Sequence, residues 1–332
     1  MDFFTHMFMG ILAGLFSLTK LIPEAIILMW IMTFLPDFDV LLEPLQKIRK
    51  MYYLSHKAGS HSYIVGLIFT GIVSLIISIF RNVLFIEIWF AGFIGYSIHV
   101  SLDLFAASKI PIFYPISKKE YRFIADRAVN PILMVFSCIN ILVLSIVYFT
   151  LPYYQILMNF ALFYLYVYLI YFVIRAFLRL TIQMRIPKNQ KYIPGLLPYY
   201  YFIYEKNSTI ESTTFNLSKQ FVFSSKKQNL INQTILNLSD DFPFFKLAKQ
   251  ISEEYRFYHK WNYIIPFIFK NQDSVNVVLI LAESFSQSVR HKSIKRERSS
   301  YYISIIFNKS TKQLISKTEG FGSFKNWQNS NW

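Results

Sequence analysis

Between residues 1 and 181 the chain sets one apolar run of membrane-crossing length after another, a pattern that water-soluble folds do not tolerate. A span needs roughly 20 mainly apolar residues. Candidates lie at 7–22, 24–42, 62–80, 83–106, 130–150 and 156–178, and they predict an α-helical membrane bundle of about six transmembrane helices. The first two candidates are interrupted, one by Lys20 and Pro23, the other by Pro36, Asp37 and Asp39. Neighbouring helices are therefore expected to cover part of both. Composition agrees: 54% of the 332 residues are apolar and only 16% charged, too greasy a mixture for a soluble protein of this length.

Charge sets the orientation. The segment 43–60 carries Lys47, Arg49, Lys50 and Lys57, and 107–129 carries Lys109, Lys118, Lys119, Arg122 and Arg127, whereas the opposite connections offer Lys20, Arg81 and, in 151–155, nothing. The positive-inside rule then places both termini in the cytoplasm of a multi-pass cell-membrane protein. On this reading the net charge of +15 serves membrane lipids, and nucleic acid is not an expected partner. Arg175, Arg179 and Arg185 most simply snorkel to an anionic surface, with attraction of a phosphate substrate as the alternative. Cys138 is the only cysteine, which excludes an intramolecular disulfide and paired-cysteine zinc sites. The start, Met1-Asp2-Phe3-Phe4-Thr5-His6, lacks a basic secretory leader and is expected to stay in the mature protein.

From 182 to 332 the composition turns to Asn, Ser, Lys and Gln mixed with short apolar runs, which reads as a small soluble α+β domain on the cytoplasmic side. Strands are expected at Tyr199–Tyr204, Phe215–Phe223, Val275–Leu281 and Tyr301–Phe307. A helix is expected from Asp240 to about Tyr258, capped by Asp240 or Asp241. The basic run Arg290–Arg298 reads as a solvated hairpin tip, and His259 and His291 as structural. Five Asn-x-Ser/Thr sequons, at Asn207, Asn216, Asn232, Asn237 and Asn308, would matter only if this domain faced outward.

Ionisable groups in membrane helices are costly and rare unless they serve a site. Here they cluster. His6 opens the first run, Asp37 and Asp39 close the second, His56 and His61 open the third, and His99 and Asp103 close the fourth. In the orientation above, all these ends lie on the cytoplasmic side. Taken singly each has an ordinary reading, a cap for a histidine at a helix end or a turn for an aspartate after proline. Together they bring four His and three Asp to one layer, which suits a divalent ion. His99 and Asp103 share a helix face. Asp37 and Asp39 follow a proline, where extended backbone would let one ligate while the other bridges or acts as base. Imidazole and carboxylate without sulfur favour zinc, then manganese or iron, over copper. Seven candidates exceed one tetrahedral site, so one or two ions fit.

The order Met-Asp-x-x-Thr-His, Pro36-Asp37-Phe38-Asp39, His56-Lys57-Ala58-Gly59-Ser60-His61-Ser62, His99-x-x-x-Asp103 and Tyr114-Pro115 resembles the membrane-bound metal-dependent hydrolase family typified by the bacterial inner-membrane protein YdjM. More remotely it is similar to zinc-dependent phospholipase C. The motifs span about 1–120 and the architecture about 1–180. The resemblance implies a ligand role for His6, Asp37, Asp39, His56, His61, His99 and Asp103. Lys57 and Ser60 stand where the family usually has Arg and Thr, and each keeps the charge or the hydroxyl.

The expectation that follows is metal-assisted hydrolysis of an ester, most simply a phosphoester in a lipid or lipid-linked substrate. Asp37 or Asp39 would take the proton from water and Lys57 would stabilise the anion. A transporter with the same ligands is one alternative. A structural or regulatory membrane protein, with a metal pinning its helices, is the other.

Overall fold

The computed structural model describes residues 1–47, 57–150, 154–261, 263–288 and 297–323. The chain forms two compact units, Met1–Phe177 and Leu178–Trp332.

In the first unit, helices α1 (Phe3–Ser17) and α2 (Pro23–Met32) lead into a 3₁₀ segment, Leu35–Lys47. A 3₁₀ turn, Gly59–His61, then precedes α3 (Tyr63–Arg81), α4 (Phe85–Phe105), α5 (Pro131–Thr150) and α6 (Tyr154–Arg185). Among the described residues α3 to α6, with 19, 21, 20 and 32 residues, are the four helices long and apolar enough to cross a membrane, while α1 and α2 are shorter apolar helices. The breaks follow from sequence. Lys20 to Pro23 interrupts the first run, with Pro23 at the first turn of α2, and after Thr33 the chain tightens into the 3₁₀ segment rather than the extended backbone expected around Asp37 and Asp39.

Short polar residues define the helix starts. Asp2 accepts the Thr5 amide at 2.9 Å and Ser62 accepts that of Ile64 at 3.2 Å. Asn130, just before Pro131, accepts the amides of Ile132 and Leu133. Asn82, at φ 51° in the left-handed region, closes α3.

Helix α4 is packed against α2 and α3, with Ala25, Leu28, Met29 and Met32 meeting Ile88, Ala91, Tyr96 and Val100. Gly95 makes this approach possible: a Cβ there would fall inside the contact distance of the Met29 carbonyl oxygen. On the other side Phe8 and Leu12 of α1 join Leu144 of α5 and Tyr164 and Tyr168 of α6. Ile68, Ile72, Leu75 and Ile79 of α3 remain exposed, as a lipid-facing surface requires.

Arg175 does not snorkel. It is fully buried, 3.3 Å from Asp126, and its Nε donates to the Tyr171 hydroxyl at 3.0 Å. Asp126, in the 106–130 segment, is the carboxylate that holds this guanidinium.

The second unit holds two antiparallel sheets. Strands β1 (Gln190–Pro194), β2 (Tyr200–Ser208), β3 (Ser212–Phe221) and β4 (Lys227–Leu236) form a meander. After α7 (Asp241–Ser252) and α8 (Arg256–Lys260) come β5 (Ile264–Lys270), β6 (Ser274–Leu281), β7 (Ser286–Ser288), β8 (Glu297–Asn308) and β9 (Leu314–Ser323), ordered β5-β6-β8-β7 with β9 paired to β8. One core draws Phe202, Phe215 and Ile231 from the first sheet, Phe244 and Ala248 from α7, and Val277 to Leu281 and Ile305 from the second. The expected helix is broken at 253–255, and Asp240 occupies its N-cap without a side-chain bond. Residues 290–296 of the basic run, His291 among them, and the His259 side chain lie outside what is described.

Candidate metal centre

The site is assembled by helix ends in the first unit. His99 and Asp103 stand one turn apart near the end of α4, His61 ends the 3₁₀ turn before α3, Asp37 lies in the first turn of the 3₁₀ segment, and His6 sits in the second turn of α1. One ligand atom from each of Asp37, His61, His99 and Asp103 lies within 4.8 Å of the others. His61 Nε2 is 3.0 Å from His99 Nε2, 3.1 Å from Asp103 Oδ2 and 3.6 Å from Asp37 Oδ1. His99 Nε2 is 3.8 Å from each of these carboxylate oxygens. Tetrahedral ligands bonded at about 2.0–2.1 Å stand about 3.3 Å apart, so the spacing fits one small divalent ion.

The outward nitrogens explain why the inward ones are available. His99 Nδ1 lies 2.9 Å from the Thr33 carbonyl oxygen, an acceptor, so it carries the proton and leaves the Nε2 lone pair facing the cluster. His61 Nδ1 faces Asp39 Oδ2 at 3.4 Å and Ser60 Oγ at 3.0 Å. This is the carboxylate–histidine relay that orients metal-binding imidazoles. Asp39 also accepts the Lys57 amide at 3.0 Å, and Tyr96 donates its hydroxyl to the Ser60 carbonyl. The turn carrying His61 is thus fixed from two sides. Lys57 itself has φ 57°, a left-handed conformation that persists in a non-glycine residue only when its surroundings impose it.

Two aspartates expected in similar roles are therefore separated. Asp37 points into the cluster, whereas Asp39 stands behind His61. In a 3₁₀ segment of three residues per turn, positions 37 and 39 cannot face the same way. His6 completes the wall: its ring stacks on His99 at 4.1 Å, its Nε2 lies 3.3 Å from Asp103 Oδ1, and among the described residues neither ring nitrogen meets a hydrogen-bond partner in good geometry. A fully buried imidazole without a hydrogen-bond partner is costly, and an ion among these residues would give it one. His56 lies outside the described residues.

Lys57 and the chain's first amine both reach Asp103, and Lys57 supplies the positive charge. Lys57 Nζ is 2.8 Å from Asp103 Oδ2, and the Met1 amine bonds the other oxygen. Burial of His61 opposes its charged form, but hydrogen bonds to Asp103, Asp37 and Asp39 outweigh this and raise its pKa to about 10. Sequence reasoning missed Thr33, Tyr96 and the Met1 amine. Thr33 acts through a backbone carbonyl, which leaves no side-chain signature; Tyr96 could have been found, three residues before His99 on the same helix face.

The sequence model of the YdjM inner membrane protein family matches residues 1–178, which includes every residue of this cluster. The chain belongs to that family. No curated protein and no solved structure matches it. The YdjM match ends at the last turns of α6, so the sheets of the second unit lie beyond it.

Proposed function

We propose that this protein is a membrane-bound, metal-dependent hydrolase acting on a phosphoester of a lipid or lipid-linked substrate at the cytoplasmic face. The observation that supports this reading is the pair of imidazole Nε2 atoms turned inward on Asp37 and Asp103, with Thr33 and Asp39 facing the opposite nitrogens. Asp37, His61, His99 and Asp103 would hold the ion, with His6 alongside. Nitrogen and oxygen donors without sulfur favour zinc, with manganese or iron next. A bound divalent ion would supply Lewis acidity and lower the pKa of water.

The remaining chemistry belongs to the chain. The Asp37 side chain is 16% exposed against 3% for Asp39, so Asp37 is the better placed to accept a proton from incoming water. Asp39 keeps His61 in its tautomer. Burial works against the charge on Lys57, but Asp103 outweighs it and raises the pKa, so the ammonium stays charged beside the cluster, where a phosphoester anion would meet it. The cytoplasmic assignment rests on the basic segments flanking the site.

The test is metal analysis of the protein purified in detergent, paired with turnover of a fluorogenic phosphodiester. His99→Ala should lose both metal and turnover while still inserting; full turnover in a metal-free variant rejects the hydrolase. A second reading is favoured by one observation: His61, His99 and Asp103 are fully buried, as in closed structural sites with four protein ligands. A structural ion would pin α4 to the 3₁₀ segments, and its removal would lower thermal stability while no turnover was ever detected.

A further inference from the structure

The second unit carries an exposed aromatic and basic edge at one end of its first sheet. Phe223, in the turn between β3 and β4, is 95% exposed, and Phe221 and Tyr199 beside it are 43% and 49% exposed with rings stacked at 6.1 Å. Lys219 stands over the Phe221 ring at 4.9 Å, and Lys226 and Lys227 follow, both exposed. No Asp or Glu occurs between 186 and 204 or between 212 and 239. What sets this end apart is that its aromatic rings are flanked by lysines, a combination that matches the boundary between headgroups and acyl chains.

Chain direction says where this edge points. Only four residues, 186–189, separate the end of α6 from β1. Gln183 of α6 donates to the Gln190 carbonyl and accepts the Tyr192 amide, and Arg179, one turn earlier, lies over the Tyr192 ring at 5.8 Å. Strand β1 therefore runs back along the helix, from its end toward its apolar turns. Leu178, Ile182 and Ile186 pack with Tyr192, Tyr201 and Ile203 on that return. Pro194 pairs with Tyr201, and Tyr200 with Phe221, so the Phe223 turn lies at the end of the sheet that points along α6 toward Leu178 rather than toward Arg185. The opposite end, with Ile210 94% and Leu238 92% exposed, heads away.

We infer that the edge formed by Tyr199, Phe221, Phe223, Lys226 and Lys227 inserts into the anionic phospholipid surface of the membrane that α6 crosses. The aromatic rings enter the headgroup layer and the lysines pair with lipid phosphates. The interaction anchors the second unit independently of any chemistry at the metal centre.

The test uses the full chain with Cys138→Ser as background and a nitroxide at Phe223→Cys or, as control, at Ile210→Cys. Each protein is reconstituted in vesicles of phosphatidylglycerol with phosphatidylethanolamine, or of phosphatidylcholine alone. Collision with oxygen, which partitions into lipid, is compared with collision with a water-soluble nickel chelate. The expected result in anionic vesicles is a label at 223 shielded from the chelate and accessible to oxygen, with the label at 210 open to the chelate. Adding Lys226→Glu and Lys227→Glu should abolish the shielding at 223. Equal chelate access at 223 and 210 overturns the proposal. So does shielding at 223 that persists in detergent and rises with protein concentration, which identifies a second copy of the chain as the occupant.

Discussion

Asp103 has Lys57, His6, His61 and the Met1 amine around it. Asp103→Ala would strand buried cations, which typically costs about 3–5 kcal/mol; a matching fall in stability together with lost metal in the purified variant is the expected outcome. Asp39 stands behind His61 rather than facing the cluster, so if His61 holds an ion, Asp39→Asn should keep the metal but weaken its binding by about 10–100-fold in a competition titration. His61 gives a pH dependence with a definite sign. Its folded pKa of about 10 lies above the ordinary 6.5, so the metal-free protein has the full stability from this proton below pH 6.5 and loses it as pH rises toward 10. Metal must displace that proton, so affinity should rise across the same window, and calorimetry in buffers of different ionisation enthalpy should detect the release. The sequence made His6, Asp37, Asp39, His61, His99 and Asp103 visible as a group. It could not divide Asp37 from Asp39, because that division depends on the local turn geometry after Pro36.

At the level of elements, small residues govern how closely helices approach. Gly10 of α1 lies against the Thr33 side chain, and the Thr33 carbonyl holds His99. Gly10→Ala should therefore cost about 1–3 kcal/mol and also weaken metal binding, which thermal unfolding and metal titration on one sample would reveal. The two interrupted runs were legible as helices, and their interruptions as the places where they stop. Arg175 was misread because a run of apolar residues gives depth but not the identity of a distant partner such as Asp126. Strands β4 and β9 escaped notice because Lys227–Leu236 and Leu314–Ser323 are rich in polar residues, the composition of edge strands with one solvated face. Strand β6 was legible because Val277 to Leu281 are buried almost completely, and such a stretch must read as an unbroken apolar run.

At the level of the whole molecule, the first unit and the second have separate cores, so heating in detergent should give two transitions. A chelator should lower the one belonging to residues 1–177 and leave the other in place, since ligand binding stabilises only the unit that holds the ligand. The helical hairpin of α3 and α4 carries a further consequence. Its arms, of 19 and 21 residues, are joined by the short turn 82–84; His61 stands just before the first arm and His99 in the last third of the second. At 1.5 Å per residue the arms measure roughly 28 and 31 Å, so the hairpin works as a ruler whose two scales must end level. Deleting a single apolar residue from the middle of α3 would leave its hydropathy intact. It would also slide His61 by about 1.5 Å and swing it through about 100°, and the two imidazoles would no longer meet.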